Sequence, residues 1–169
     1  MGHQEWGFQM AEPLASMPRS DAVILFAYYS LLILIALVLA IQIWPDAAKL
    51  KDEDSLVTFG WYKATIRRES RLVLTVAVMG FLGGTSHYFW LLTHWAALGD
   101  LKAAQVMIYL AKPWIAAAIA VIAYALLRGG IATGIDASKE LNAFGMAGFG
   151  GLVGLFANEV IEKLNRTFQ

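Results

Sequence analysis

The chain contains no cysteine, which excludes disulfides, thiolate metal sites and cysteine nucleophiles and leaves the compartment open. Charge is scarce: 15% of residues are charged, against about 25% in ordinary soluble domains. Thirteen basic and thirteen acidic side chains cancel, so no global field draws the molecule to nucleic acid, and electrostatic arguments rest on where charges sit. Catalytic and nucleotide signatures are missing. The glycines from Gly148 to Gly154 do not complete G-x-G-x-x-G, because Val153 holds the last position, and they follow no strand pattern. Ser86 beside His87 lacks an orienting acid nearby in sequence, which argues against a hydrolase. The first twenty residues, with Glu5 and Glu12 against Arg19, lack the basic start and small-residue cleavage site of a signal peptide. The first apolar segment is therefore expected to stay in the mature protein, and enzyme activity is not expected.

What the chain has in abundance is apolar length: 59% of its 169 residues are hydrophobic and the mean hydropathy is +0.58. The stretch from Leu72 to Arg128 organises the rest, as two apolar segments joined by a short turn at Gly99-Asp100. Residues 1–20 carry Trp6, Phe8, Met10, Pro13 and Pro18 without sustained periodicity and read as an arm, either interfacial or a loose tail. Residues 22–44 hold no charge, and twenty-three helical residues cover about 34 Å, enough for a ~30 Å hydrocarbon layer. Asp21 is a candidate N-cap for this span, and Trp44-Pro45 closes it.

Residues 45–71 form the one long polar connection. Lys49, Lys51, Lys63, Arg67, Arg68 and Arg71 are six of the thirteen basic residues, set against five acids. A basic loop stays cytoplasmic, which places the N-terminus and the turn near Asp100 outside. Phe59, Trp61, Tyr62 and Ile66 among those basic residues suggest a short amphipathic helix at the lipid surface. Its competing reading is a topology signal with snorkelling side chains.

The second span, 72–95, becomes glycine-rich and aromatic. Gly80, Gly83 and Gly84 share one face, where another helix can approach closely. His87 and His94 lie two turns apart on roughly one face, and any haem or pigment reading starts from them; the competing reading is a packing histidine and an interfacial one. No cluster of His, Asp and Glu in the sequence supports a metal site, and no cofactor is expected.

The third span, 106–127, contains Lys112-Pro113. One frame is a single kinked helix with Lys112 snorkelling outward; the other starts the span at Pro113 and leaves only fifteen residues to Leu127. The first is favoured. An ammonium in hydrocarbon costs at least about 2.5 kcal/mol unless it snorkels, pairs or meets water, which makes Lys112 the candidate intramembrane charge.

Residues 141–157 hold five glycines in seventeen residues and just suffice to span; a re-entrant or packed half-helix is the alternative. Gly150-x-x-x-Gly154 permits close helix contact. Residues 158–169 then turn amphipathic, with Val160, Ile161, Leu164 and Phe168 as an apolar stripe and Glu159-Lys163 and Glu162-Arg166 spaced for ion pairs. If copies of the chain surround an axis, the bare glycine backbone lines a narrow pore, with Asn158, Glu159 and Glu162 at its mouth and the two carboxylates as cation-concentrating rings. The competing reading is a packed helix whose acids are merely salt-bridged.

Three motifs occur together: Gly80-Phe-Leu-Gly-Gly-Thr-Ser-His87, Lys112-Pro113 through Leu127-Arg128-Gly-Gly, and Gly151-Leu-Val-Gly-Leu-Phe-Ala-Asn-Glu-Val-Ile-Glu-Lys-Leu164. In that order they resemble a loosely defined family of uncharacterised bacterial multi-pass membrane proteins, over roughly residues 72–168. Here Lys112 stands where that pattern has arginine and Ala157 where it has serine. The resemblance implies a bacterial membrane setting and no activity.

The expectation is an all-α membrane bundle with three transmembrane helices and a glycine-rich fourth span or re-entrant half-helix, in a bacterial cytoplasmic membrane. The leading functional expectation is a homo-oligomeric channel or pore-like assembly. Its alternative is an accessory subunit of a larger membrane complex, one that carries haem or pigment near His87. The partners expected are the lipid bilayer and either copies of the chain or other membrane subunits, with no nucleic acid.

Overall fold

The computed structural model describes residues 17–44, 54–59, 62–99, 101, 106–129 and 142–167. The arm at residues 1–16, the loop residues Lys49 and Lys51, and Asp100 lie outside them. Helix α1 runs Arg19–Ile43, a two-stranded hairpin follows as β1 Asp54–Phe59 and β2 Tyr62–Arg67, and then come α2 Arg68–Leu98, α3 Val106–Arg128, α4 Ala143–Leu155 and α5 Ala157–Thr167.

Three of these helices, α1, α2 and α3, are long and apolar enough to cross a membrane, and α4 with α5 forms a fourth apolar pair bent by 63° at Phe156. This is an all-α membrane bundle of three candidate spans with a bent α4–α5 pair, either a broken fourth span or a re-entrant element. Helix α2 is its axis: 39% of its most apolar stretch is buried, against 17% for α1 and 22% for α3. The outer faces carry exposed Ile24, Leu34, Trp90, Trp114, Ile122 and Leu152, the pattern of a bundle whose solvent is lipid. The buried residues form two clusters. One gathers Leu25, Tyr29, Tyr88, Leu92, Leu101 and Tyr109 near the α2–α3 turn, and the other Leu72, Val76, Ala120, Tyr124, Ala143 and Met146 near the opposite end.

Three boundaries differ from the sequence expectation. Helix α1 begins three residues before Ala22, with Pro18 at the N-cap and Asp21 inside the first turn. A proline is already fixed near φ −65° and pre-empts the cap, while Asp21 serves the positive end of the helix dipole instead. Helix α2 extends from Arg68 to Leu98, beyond the 72–95 span, because its polar ends continue the helix past the hydrocarbon layer. It stops at Gly99, whose φ of 70° is the left-handed cap conformation glycine favours.

The third difference is a correction. The stretch expected to form a basic amphipathic helix is the antiparallel hairpin β1–β2, paired from Asp54↔Arg67 to Phe59↔Tyr62. Val57, Thr58, Phe59, Tyr62, Thr65 and Ile66 are β-branched or aromatic, and Gly60-Trp61 between the strands is a glycine-first two-residue turn sequence. That local preference outweighed an apolar spacing read over too short a window for a helix.

The bundle ends are tied by side chains. Arg71, buried, donates from Nε to the Ile43 carbonyl at 3.0 Å and from Nη2 to the Trp44 carbonyl at 2.6 Å, satisfying α1's last carbonyls. Glu69 accepts from the Tyr124 hydroxyl at 3.1 Å and from Arg128 at 2.7 Å, fastening the start of α2 to the end of α3. At the other end the Met17 amide donates to the Leu101 carbonyl at 2.7 Å.

Candidate functional site

The site is built by the approach of α4 to α2. Glycine at Gly80, Gly83 and Gly84 removes the side chains that would hold the helices apart, and Gly150 and Gly154 do the same from α4, whereas a Cβ on Gly151 would make only ordinary contact with Met79. A Cβ on Gly154 would collide with the Gly80 backbone, one on Gly83 with the Gly151 carbonyl, and one on Gly150 would lie 2.8 Å from the Val76 carbonyl. Gly80 and Gly84 also admit Ala120 and Ala116 of α3. The seam lies within one chain. Gly148, by contrast, faces open space.

Helix α4 enters beside the ends of α1 and α2, where Phe144 meets Trp44 with ring centroids 5.5 Å apart. Asn142 caps it by accepting from the Phe144 amide at 3.0 Å. Thirteen residues carry it about 20 Å, short of the ~30 Å layer, and the break at Phe156 falls at the level of Gly84 and Tyr88. There the Lys112 ammonium donates to Asn158 Oδ1 at 2.5 Å and sits 5.0 Å from the centre of the Tyr88 ring. Asn158 also lies beside Tyr88. Glu159 is exposed and within electrostatic reach of both Lys112 and Tyr88. The result is a polar site of Lys112, Asn158, Tyr88 and Glu159 at the bend between α4 and α5.

This corrects the expectation that Lys112 snorkels outward. Pro113 lies inside a single helix, and Lys112 is half-buried and turned toward α2 and α5. The ammonium finds a hydrogen bond and an aromatic face within the bundle, which offset the cost of placing it among apolar helices.

The other residues singled out by sequence fall elsewhere. His87 is half-buried edge-on to Tyr88, and His94 is exposed, stacked on Trp90 with ring centroids 5.8 Å apart and planes 12° apart. The two imidazoles engage different aromatic neighbours and share no contact in the described structure. Among the described residues no group of three or more His, Cys, Asp or Glu is placed to hold a metal. On α5, Glu162 accepts from Arg166 at 2.5 Å, both exposed. The side chains of Val160, Leu164 and Phe168, in the expected apolar stripe, lie outside the described residues.

Two residues of importance were not singled out by sequence. Tyr88 carries the Lys112 contact, and Tyr29 on α1 donates its hydroxyl to the Tyr109 carbonyl at 2.6 Å. The second had a signal. Proline at 113 has no N–H for the carbonyl four residues back, so Tyr109 is marked in advance as needing another donor.

The geometry defines a class, a polytopic α-helical membrane protein with three candidate spans, a bent fourth helix pair and a half-buried lysine at the bend. Beyond that class, no protein-family model matches the chain, and comparison finds no similar characterised protein or solved structure.

Proposed function

We propose that this is a non-enzymatic integral membrane protein of the bacterial cytoplasmic membrane. It acts as a channel or pore-like assembly of like chains, and the break in the fourth span is its ion-handling element. The observation that carries this reading is the Lys112 ammonium held by Asn158 where the span is interrupted. Charged side chains at membrane depth mark ion and substrate pathways. Interrupted helices are tolerated there only where protein or a water-filled cavity receives the freed backbone, as at transporter and channel sites.

The α2–α4 seam is closed at backbone contact, so the glycine face of α4 lines no opening among the described residues. The path therefore runs between copies, beside α5, where exposed Glu159 and Glu162 favour cations. The motif resemblance supports the bacterial setting. The basic connection before α2 supports a cytoplasmic hairpin, with the N-terminus, the α2–α3 turn and α5 outside.

Conductance of the purified protein in planar bilayers tests this. The wild type is expected to conduct with cation preference, Glu159→Gln to lose part of that preference, and Lys112→Met to change unit conductance. Membranes that contain the inserted protein and remain silent to every small ion would remove the reading.

A second reading, an accessory subunit of a larger membrane complex, draws on the same seam: Gly80, Gly83, Gly84, Gly150 and Gly154 are occupied inside the chain rather than held free for like copies. Mass measurement after mild-detergent purification separates a ring of identical chains from one chain with foreign partners. A visible absorption scan tests the haem or pigment that such a complex would place near His87.

A further inference from the structure

A groove of about 330 Å³ runs along the bundle between α1, α2 and α3, within the range of small-molecule sites. Its exposed lining is wholly apolar and one side is open. Small side chains leave the space: Ala36, Ala77 and Ala117, one from each helix. On α1 it is bounded by Leu32, Ile35 and Leu39, which with Ala36 form one stripe about 10 Å long, so the groove is parallel to the helix axes. Phe81 and Trp114, edge to face with centroids 5.1 Å apart, stand at its midplane end.

The opposite end points to Arg71, which holds the carbonyls of Ile43 and Trp44, and beyond it to exposed Arg67. Ten residues of helix separate Arg71 from Phe81, a rise of about 15 Å, which is half of a ~30 Å hydrocarbon layer. The groove's lining starts at Leu39 and Ala77, about 6–9 Å of helix in from the level of Arg71, and ends at Phe81 and Trp114, so an acyl chain from the leaflet on the Arg71 side enters it with its ester end toward that arginine. An apolar space of this kind does not hold water. At that end Arg67 is exposed, within a stretch, 45–71, that carries six basic residues against five acids.

We propose that the α1–α2–α3 groove holds one acyl chain of an anionic phospholipid from the leaflet on the Arg71 side, its phosphate facing Arg67. The site is separate from the Lys112 break and does not rest on pore activity.

Native mass spectrometry of the full chain, released from nanodiscs of phosphatidylglycerol or phosphatidylcholine, tests it. The wild type is expected to retain a phosphatidylglycerol molecule through detergent washing that strips other lipid. Ala77→Leu and Ala117→Leu, which fill the groove, are expected to lower retention about tenfold, the loss of burial of about two methylenes. Ile122→Leu on the exposed face should leave it unchanged. Arg67→Gln, which leaves the groove intact and guards against misfolding of the filled variants, should narrow the preference for phosphatidylglycerol over phosphatidylcholine. Equal retention by the wild type and a filled variant of normal melting temperature, or no preference between the two lipids in the wild type, would overturn the assignment.

Discussion

The Tyr29 hydroxyl donates to the Tyr109 carbonyl at 2.6 Å, and Tyr109 is the residue whose intrahelical partner is missing because position 113 is proline. Tyr29 is fully buried. One side chain of α1 therefore repairs the gap that proline opens in α3 and fastens the outermost span to the bundle.

Tyr29→Phe is expected to leave that carbonyl unpaired and to lower stability by about 1–3 kcal/mol, read as a shift in reversible unfolding in mixed micelles. Adding Pro113→Ala restores an N–H four residues on, so the double variant should recover most of the loss. A Tyr29→Phe protein as stable as the wild type would show that the bond contributes nothing.

The glycine seam separates two changes that look alike in sequence. Gly154→Ala sets a Cβ against the Gly80 backbone and is expected to cost about 1–3 kcal/mol through forced separation of α2 and α4. Gly148→Ala projects into open space and should be neutral or stabilise the helix by up to ~1 kcal/mol. Thermal unfolding of both in the same detergent checks the ordering.

The Lys112–Asn158 pair predicts a coupled pattern. Asn158→Leu strands the ammonium and should destabilise by about 2.5 kcal/mol or more, whereas Lys112→Met with Asn158→Leu should be more stable than Asn158→Leu alone. Additive effects in this cycle would mean that the two side chains do not depend on one another.

A cysteine-free chain suits single-cysteine labelling. With an interrupted but crossing fourth span, Glu162→Cys is expected to react from the same side of the membrane as Ser20→Cys and from the side opposite Ser55→Cys. Labelling of Glu162→Cys from the Ser55 side would make α4 a re-entrant helix that returns to its side of entry.

Much of the architecture was legible in the chain. The uncharged run at 22–44 and the apolar run at 106–127, broken only by Lys112, exceed a bilayer's thickness, and every backbone group in lipid must be satisfied within its own segment, so length and hydropathy alone require helices there. The hairpin was misread because a few aromatic and basic residues fit a helical stripe and an alternating strand equally well over so short a window. Tertiary structure decided where the unusual groups point. Lys112 and Asn158 are forty-six positions apart, and no local pattern links them. They meet because Gly83, Gly150 and Gly154 let α4 approach α2 at backbone distance before α4 ends after thirteen residues. Composition fixed that this chain enters a membrane, because transfer of apolar area depends only on what the residues are. The partner of its buried charge depended on packing, because a hydrogen bond needs two atoms brought together in space.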